Sequence, residues 1–499
     1  GLMGIIKKQS INSSLVQGAG IVFSVIQLLI IFPAFLSKGE IGVIRLFIDL
    51  SFITAPLFLM GASAIYLKYY YQFKDSEAQT NSLKLIVILL NLVGFISFTL
   101  LLWLLNPFFE DWMKVKSPEF IPYLKFVPIL GFLVSIFQLL RGFHQVSYRL
   151  QLANFLEYIL GRVLLAGLAV AVFYADLNYN QIIASIIGCY AILAAIQVIA
   201  YLKVDTININ RSWRNEIPDP QMRSMLVYGL FTFMIAVTDG VVIKLDTWMI
   251  SSLDGVEAVG VYAIALQLGM LVEFPKRSIS LIAKPLIAKE WAANNMNEIH
   301  QIYKRTSLVQ LIFGGLIFSL VFLNIDSFYK IIPNGGSFSG GKWVVFFIGL
   351  GKWFAISTGS NIEILQLSPY YKHTFWIRFS LLLTAIITNL LLIPFFGIAG
   401  AAIATALTLF THNTIISTLV WIKLRIHPFT TKSVQAFLVF AFSFGVASLI
   451  PTVDFIVLDV ALRSLILGIL VLGLLYYLKV SEDVFGLLKS VTNRKSKKD

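Results

Sequence analysis

The chain has 499 residues, of which 58% are hydrophobic, 14% aromatic and only 13% charged, with a formal net charge of +13. Soluble chains carry about 45–50% apolar and about 25% charged residues, so this composition excludes a set of water-soluble domains and reads as an all-α polytopic membrane protein. A single cysteine, Cys189, excludes a disulfide framework and a multi-cysteine metal site.

A bilayer core about 30 Å thick needs about 20 apolar residues per helix. On that measure about 14 transmembrane helices follow one another, over 13–36, 41–67, 83–105, 121–144, 151–174, 181–202, 224–252, 256–284, 305–325, 343–367, 374–395, 398–422, 433–451 and 458–478. The runs show no strict alternation, so barrel strands are not expected. Before the first, "MGIIKKQS" carries two lysines and no small-residue cleavage site, which reads as a retained anchor. After the sixth, "KVDTININRSWRNEIPDPQMRS" (203–224) is polar and contains proline. It separates an N-terminal six-helix lobe, 1–202, from a second six-helix lobe, 224–424, with 203–223 as a cytoplasmic linker. After the eighth, "AKEWAANNMNEIHQIYKRTS" (288–307) mixes apolar and polar residues at helical spacing and is expected to continue that helix along the membrane surface. Two extra spans occupy 425–480, and 481–499 is a basic tail.

Lysines and arginines gather on one side. Lys7, Lys8, Lys203, Arg211, Arg214 and Arg223 fall on the N-terminal side of the membrane, as do most others; the opposite side keeps Lys38, Lys114, Lys116, Lys125, Lys330, Lys342 and Arg463. This positive-inside bias predicts both termini in the cytoplasm and an even number of spans. The net charge is thus topological, with membrane lipid as its partner, and nucleic acid is not called for. An internal repeat accompanies it: "FLSKGEIGVIRLFIDL" (35–50) and "SSLDGVEAVGVYAIALQL" (251–268) each form an outer turn leading into a helix. Glu40 and Gly42 match Glu257 and Gly260 with one residue of slack. Parallel repeats of this kind predict two pseudo-symmetric lobes around a central cavity.

Three blocks carry a family likeness. "LDTWMISSLDGVEAVGVYAIALQL" (245–268) resembles the helix-turn-helix of the polysaccharide transporter family within the multidrug/oligosaccharidyl-lipid/polysaccharide exporter superfamily, with Asp246 preceding Gly260-Val261-Tyr262. "NLLLIPFFGIAGAAIATALTLF" (389–410) is similar to its eleventh and twelfth spans, and "AKPLIAKEW" followed by "EIHQIYKRTS" to the link between spans eight and nine. The resemblance implies a bacterial inner-membrane flippase for undecaprenyl-pyrophosphate-linked oligosaccharide, the O-antigen or capsule-unit type. It implies alternating access, a lipid-tail groove at 433–478, and a polysaccharide polymerase and chain-length regulator as partners. It gives no residue-by-residue map of a binding site.

Ionisable residues deep in a span cost at least about 2.5–3.5 kcal/mol and normally face protein or water. Here they are Arg45 and Asp49 in the second span, Glu157 and Arg162 in the fifth, Asp239, Lys244 and Asp246 in the seventh, Glu273, Lys276 and Arg277 toward the cytoplasmic end of the eighth, where the two cations after Pro275 either snorkel to the interface or face the cavity, and Lys352 and Glu363 in the tenth. A pyrophosphate leaving water needs fixed cations in place of its counterions, which makes Arg45, Arg162, Lys244 and Lys352 the candidate substrate-binding set. Asp49, Asp239, Asp246, Glu273 and Glu363 are candidates for ion coupling or charge pairing. Arg45 and Asp49, four apart on one helix, either neutralise each other or face a cavity. Arg162 and Lys352 have no well-placed intrahelical partner and either contact phosphate or pair between helices. Lys352, Gly359, Ser360 and Glu363 would form one polar stripe along a helix. No cofactor or metal is expected beyond a coupling H⁺ or Na⁺, and no nucleotide loop or catalytic triad marks an enzyme. The competing functions are a peptidoglycan lipid II flippase, a cation-coupled drug antiporter, which should have about 12 spans and an acidic cavity, and a membrane glycosyltransferase or polymerase, which should carry a sizeable outer loop.

Overall fold

The computed structural model describes residues 16, 18–147, 150–206, 216–370 and 372–480. The basic tail expected at 481–499 and residues 207–215 of the linker lie outside the described residues. Among those described there are helices and no strand.

Among the described residues twelve helices are long and apolar enough to cross a membrane, and the pair Gly335–Ser357 and Asn361–Leu367, bent by 49°, makes a thirteenth if it is one span. One more is contained in His373–Leu424, a run of 52 residues. As a straight helix it would measure about 78 Å, more than twice the bilayer core. At Gly397, however, φ is 55° and ψ −135°, and a Cβ on Gly400 would collide with the Leu392 carbonyl. Residues eight apart on one helix stand about 12 Å apart, so the chain reverses here. The run is two spans, as the sequence predicts.

The chain divides into two compact units, Gly1–Ala263 and Ile264–Asp499. The first contains α1 (Gly18–Phe35), α2 (Lys38–Leu59), α3 (Ala62–Phe73), α4 (Glu77–Met113), α5 (Val127–Val146), α6 (Leu150–Ala175), α7 (Tyr179–Leu202) and α8 (Asp219–Leu253). The seventh span, α8, therefore packs with the first six. Local chemistry starts these helices: Ser37 and Glu40 close a capping box at α2, and Asn178 and Gln181 another at α7. Left-handed Met60 and Gly61 separate α2 from α3. At its centre α2 packs on α5 and α8.

Lipid tails are as apolar as leucine, so close packing and hydrogen bonds, not apolar burial, hold such helices together. The repeated turns illustrate this. A Cβ on Gly42 would strike the Val256 carbonyl, and one on Gly260 would strike the Lys38 carbonyl. Each turn of the repeat is thus seated on the other, with Lys38 bridging Glu257 at 3.3 Å.

After α9 (Val256–Met270), the second unit holds α10 (Phe274–Ala292), α11 (Met296–Leu323), α12 (Ile325–Ile331), α13 (Lys342–Ser357), α14 (Asn361–Leu367), α15 (His373–Leu424), α16 (Thr431–Ser448) and α17 (Ile456–Tyr477). The surface helix expected over 288–307 is not one piece. Asn294 turns left-handed (φ 53°) and Asn295 caps α11 by accepting from the Glu298 amide, so 296–307 belong to the next span. Phe318, Trp353 and Phe440 centre the packing of α11 on α13 and α16. Phe395 and Leu449, each 82% exposed, fit a chain that meets lipid rather than water.

Candidate functional site

Within the first unit, α1, α2, α5, α6, α7 and α8 enclose a cavity of about 190 Å³. Its lining brings together three of the four cations singled out by sequence, Arg45, Arg162 and Lys244, with Asp49, Glu157 and Gln27. Phe52, Tyr158 and Tyr190 supply aromatic walls.

Asp49 is 1% exposed and is the hub. Arg45 donates to one carboxylate oxygen at 2.7 Å, Thr247 to the same oxygen at 2.9 Å, and Lys244 to the other at 2.5 Å. The two readings of Arg45 and Asp49 therefore coincide: they pair along α2, and both line the cavity. The partner of Lys244 comes from a different helix, because Asp239 and Asp246 are poorly placed around α8. Of those two, Asp246 accepts from the Tyr262 hydroxyl at 2.7 Å. The sixteen-residue spacing between the family-like Asp and Tyr is thus a turn-spanning hydrogen bond. Neither Asp239 nor Asp246 lines the cavity.

On α6 a π-helical turn, Leu156–Leu160, lies between Glu157 and Arg162. In an α-helix, residues five apart face different ways; π geometry closes at i→i+5 and brings them onto one face. Glu157 nevertheless gives its carboxylate to Arg141 of α5, which also donates to Asn154 at 3.0 Å. Arg162 is left with no ion pair or hydrogen bond among the described residues. The lining holds three cations against two carboxylates, and Arg141 occupies one of those carboxylates. With Arg141 counted, four cations face two carboxylates: one surplus charge lies on Arg45 and Lys244, which share Asp49, and the other on Arg162. Across the cavity α1 has its own π turn, Gln27–Ile31. Gln27 is 2% exposed, and its Oε1 has no partner among the described residues.

A cavity of this volume holds about six waters, at about 30 Å³ each. It is smaller than the usual ligand pocket of about 300–1,000 Å³. It admits a phosphate-sized group and not an oligosaccharide.

Lys352 lies elsewhere. In the second unit it donates to Glu273 at 2.7 Å, an ion pair between neighbouring helical segments. The stripe expected through Lys352, Gly359, Ser360 and Glu363 does not exist as one helix face. Gly359 takes φ +65° and the helix breaks between Ser357 and Asn361. Glu363 is buried on the far side of that break, accepts from Ser280 at 2.8 Å, and keeps Oε2 without a partner among the described residues.

Sequence reasoning misses Arg141, which it places at a cytoplasmic helix end, and Gln27, hidden in an uncharged run. The one signal for Gln27 is a lone amide inside "GIVFSVIQLLIIF". The π turns that aim Gln27, Glu157 and Arg162 have no sequence signature.

Comparison with known proteins agrees with this architecture. The MatE family model matches residues 241–336. A search of curated proteins found no match. Among solved structures, the lipid II flippase MurJ in an inward closed conformation superposes with a TM-score of 0.74 at 13% identity, covering 94% of this chain and 99% of that one. A multidrug resistance MATE family transporter of the MOP superfamily, inward-facing, gives 0.62 at 13% identity, covering 81% and 94%. A point mutant of the Vibrio cholerae MATE transporter VcmN gives 0.54 at 13% identity, covering 85% and 98%. At these identities the likeness is one of fold: a multi-pass membrane protein built like MurJ and the MATE transporters.

Proposed function

We propose that the chain is a transporter of the MOP superfamily that flips an undecaprenyl-pyrophosphate-linked oligosaccharide, an O-antigen, capsule or exopolysaccharide repeat unit, from the cytoplasmic to the periplasmic leaflet of the inner membrane by alternating access. The observation that carries this reading is the cationic excess of the first-unit cavity, shared between Arg162 and the Arg45–Lys244 pair at Asp49. A pyrophosphate entering the membrane must exchange its counterions for fixed donors, and a guanidinium such as Arg162, with no ion pair or hydrogen bond among the described residues, offers a planar pair of charge-assisted hydrogen bonds. Arg45 and Lys244 share Asp49, so an arriving anion competes with that carboxylate for them. Release returns them to it. The cavity admits only the phosphate-sized part of such a cargo, and the saccharide requires a more open state.

The MurJ-like fold favours lipid II as an alternative cargo, and the same cations would serve it. A cationic drug fits less well, because it calls for an acidic excess. Of the carboxylates considered for ion coupling, Glu363 retains an unpartnered oxygen among the described residues and is the one we would test, with H⁺ or Na⁺ as the ion.

The test is transport of defined undecaprenyl-pyrophosphate oligosaccharides and of lipid II in proteoliposomes, with and without H⁺ and Na⁺ gradients. Movement of the oligosaccharide lipids is expected. Movement of neither lipid, with extrusion of a cationic dye instead, would sink the reading.

A further inference from the structure

Glu157 stands between two arginines. On one side Arg141 of α5 holds its carboxylate in an ion pair. On the other is Arg162, five residues further along α6. The π turn between them closes with the Gly161 amide donating to the Leu156 carbonyl, the same i→i+5 spacing that relates Glu157 to Arg162. Both arginines act on the Glu157 charge. Of the groups that act most strongly on Arg162, Glu157 is the one carboxylate. One carboxylate thus lies in the field of two guanidiniums, and in this structure Arg141 has it.

The two arginines differ in what they keep when Glu157 leaves. Arg141 donates to the Asn154 side-chain oxygen at 3.0 Å, and its guanidinium lies 5.8 Å from the centre of the Tyr158 ring. It would retain a hydrogen bond and a cation–π contact. Arg162 has no ion pair or hydrogen bond among the described residues, so a carboxylate turning toward it meets an open guanidinium. The two cavity carboxylates also differ in how firmly they are held. The Asp49 side chain is 2% exposed and receives three donors. The Glu157 side chain is 36% exposed and its pair with Arg141 is accessible from both sides, Arg141 being 27% exposed. An accessible pair is weakly held, which makes Glu157 the carboxylate able to change partner.

We infer that Glu157 is an internal competitor for the phosphate-binding guanidinium of Arg162, and that Arg141 is the positioning residue that keeps it away. Turned onto Arg162, Glu157 neutralises the cation that a pyrophosphate needs, and the surplus charge passes to Arg141. An arriving phosphate repels Glu157 toward Arg141, and a departing one leaves Arg162 open to it. The same carboxylate is thereby displaced by each cargo and helps to displace it. The inference rests on the pyrophosphate reading of this cavity and adds what sets its affinity.

The probe is radiolabelled farnesyl pyrophosphate, a short prenyl pyrophosphate, bound to the full chain in phosphatidylcholine nanodiscs and counted by scintillation proximity. Arg141→Gln should weaken binding about tenfold, because Glu157 is released onto Arg162 and a charged contact to the probe is lost. Arg141→Lys, which still pairs with Glu157, should stay within about threefold of the parent. Glu157→Gln should bind at least as tightly as the parent. On that background Arg141→Gln should cost less than about threefold, since nothing is left for Arg141 to restrain. Unchanged binding in Arg141→Gln overturns the competitor, and so does an equal loss in both backgrounds, which would mean that Arg141 acts on the probe directly or through the fold. Where Arg141→Gln alone does not fold, Glu157→Gln carries the test, and binding weaker than the parent's overturns the competitor. Arg162→Gln separates this from the reading beneath it. Binding that ignores Arg162→Gln, or no binding by the parent, overturns the pyrophosphate site and the competitor with it. Binding that needs Arg162 and ignores Arg141 overturns the competitor alone.

Discussion

Asp49→Asn is the change on which the cavity electrostatics can be judged. It keeps the shape of a side chain that is 1% exposed and removes the charge that Lys244 meets at 2.5 Å and Arg45 at 2.7 Å. With charge centres about 4 Å apart and an effective dielectric of about 20, each pair is worth about 4 kcal/mol gross. Desolvation of all three groups offsets much of that. What is lost on substitution is set by the charges left behind, and breaking a buried pair typically costs about 3–5 kcal/mol. Asp49→Asn strands two cations, so the upper part of that range is expected. Lys244→Met leaves Arg45 and Asp49 as a neutral pair and should cost less, about the 1.5–3 kcal/mol of one charged hydrogen bond. The double variant Asp49→Asn/Lys244→Met, with one stranded cation in place of two, should recover part of the loss. Thermal unfolding of the purified protein in detergent, followed by tryptophan fluorescence, measures all three. An Asp49→Asn protein as stable as the parent, or less damaged than Lys244→Met, would refute the hub assignment.

Other substitutions separate binding from structure. Arg162→Gln breaks no ion pair among the described residues, so its melting should match the parent while transport slows roughly tenfold to hundredfold, the loss of one charged hydrogen bond to cargo; a matching fall in stability would show Arg162 to be structural. Glu273→Gln should destabilise the protein more than Lys352→Met/Glu273→Gln together, because alone it strands the Lys352 charge; a double variant no more stable than Glu273→Gln in the same melting assay would contradict the pairing. Tyr262→Phe should cost about 1.5–3 kcal/mol through the bond to Asp246, read as a lower melting temperature, and no change would mean that the hydroxyl contributes nothing. Gly397→Ala should cost about 1–3 kcal/mol by straining the hairpin between the two spans of α15, and a fully stable variant would argue against that turn.

The spans are legible because a membrane helix announces itself by length and composition alone, and 374–395 and 398–422 separate around Gly397 on the sequence alone. The site is only partly legible. Arg45, Asp49, Arg162 and Lys244 stand out because charge within an apolar run is conspicuous. Their partners do not, because pairing is decided between helices far apart in sequence. Glu157 and Arg162 are misaligned under α-helical geometry, and one π turn corrects that. The stripe at 352–363 fails for the opposite reason: a small residue such as Gly359 is compatible with a helix face, but here it is the break. Arg141 draws no notice near a helix end, although its side chain reaches Glu157.

The Asp49 hub also bears on how the chain enters the membrane. Asp49 and Lys244 are 195 residues apart. At roughly 5–20 residues per second of synthesis, α2 waits about 10–40 s in the bilayer before its lysine partner is made. Arg45, one turn away on the same helix, is available from the start. The i,i+4 pair is therefore a chaperone in miniature: it lets the carboxylate be inserted already neutralised, and the later arrival of Lys244 and Thr247 converts a local truce into a tertiary lock. A chain with the pair intact but α8 delayed should still insert α2, whereas one with Arg45→Ala should falter at the second span, before α8 exists. Arrested nascent chains of increasing length, scored for insertion of α2, would separate those two cases.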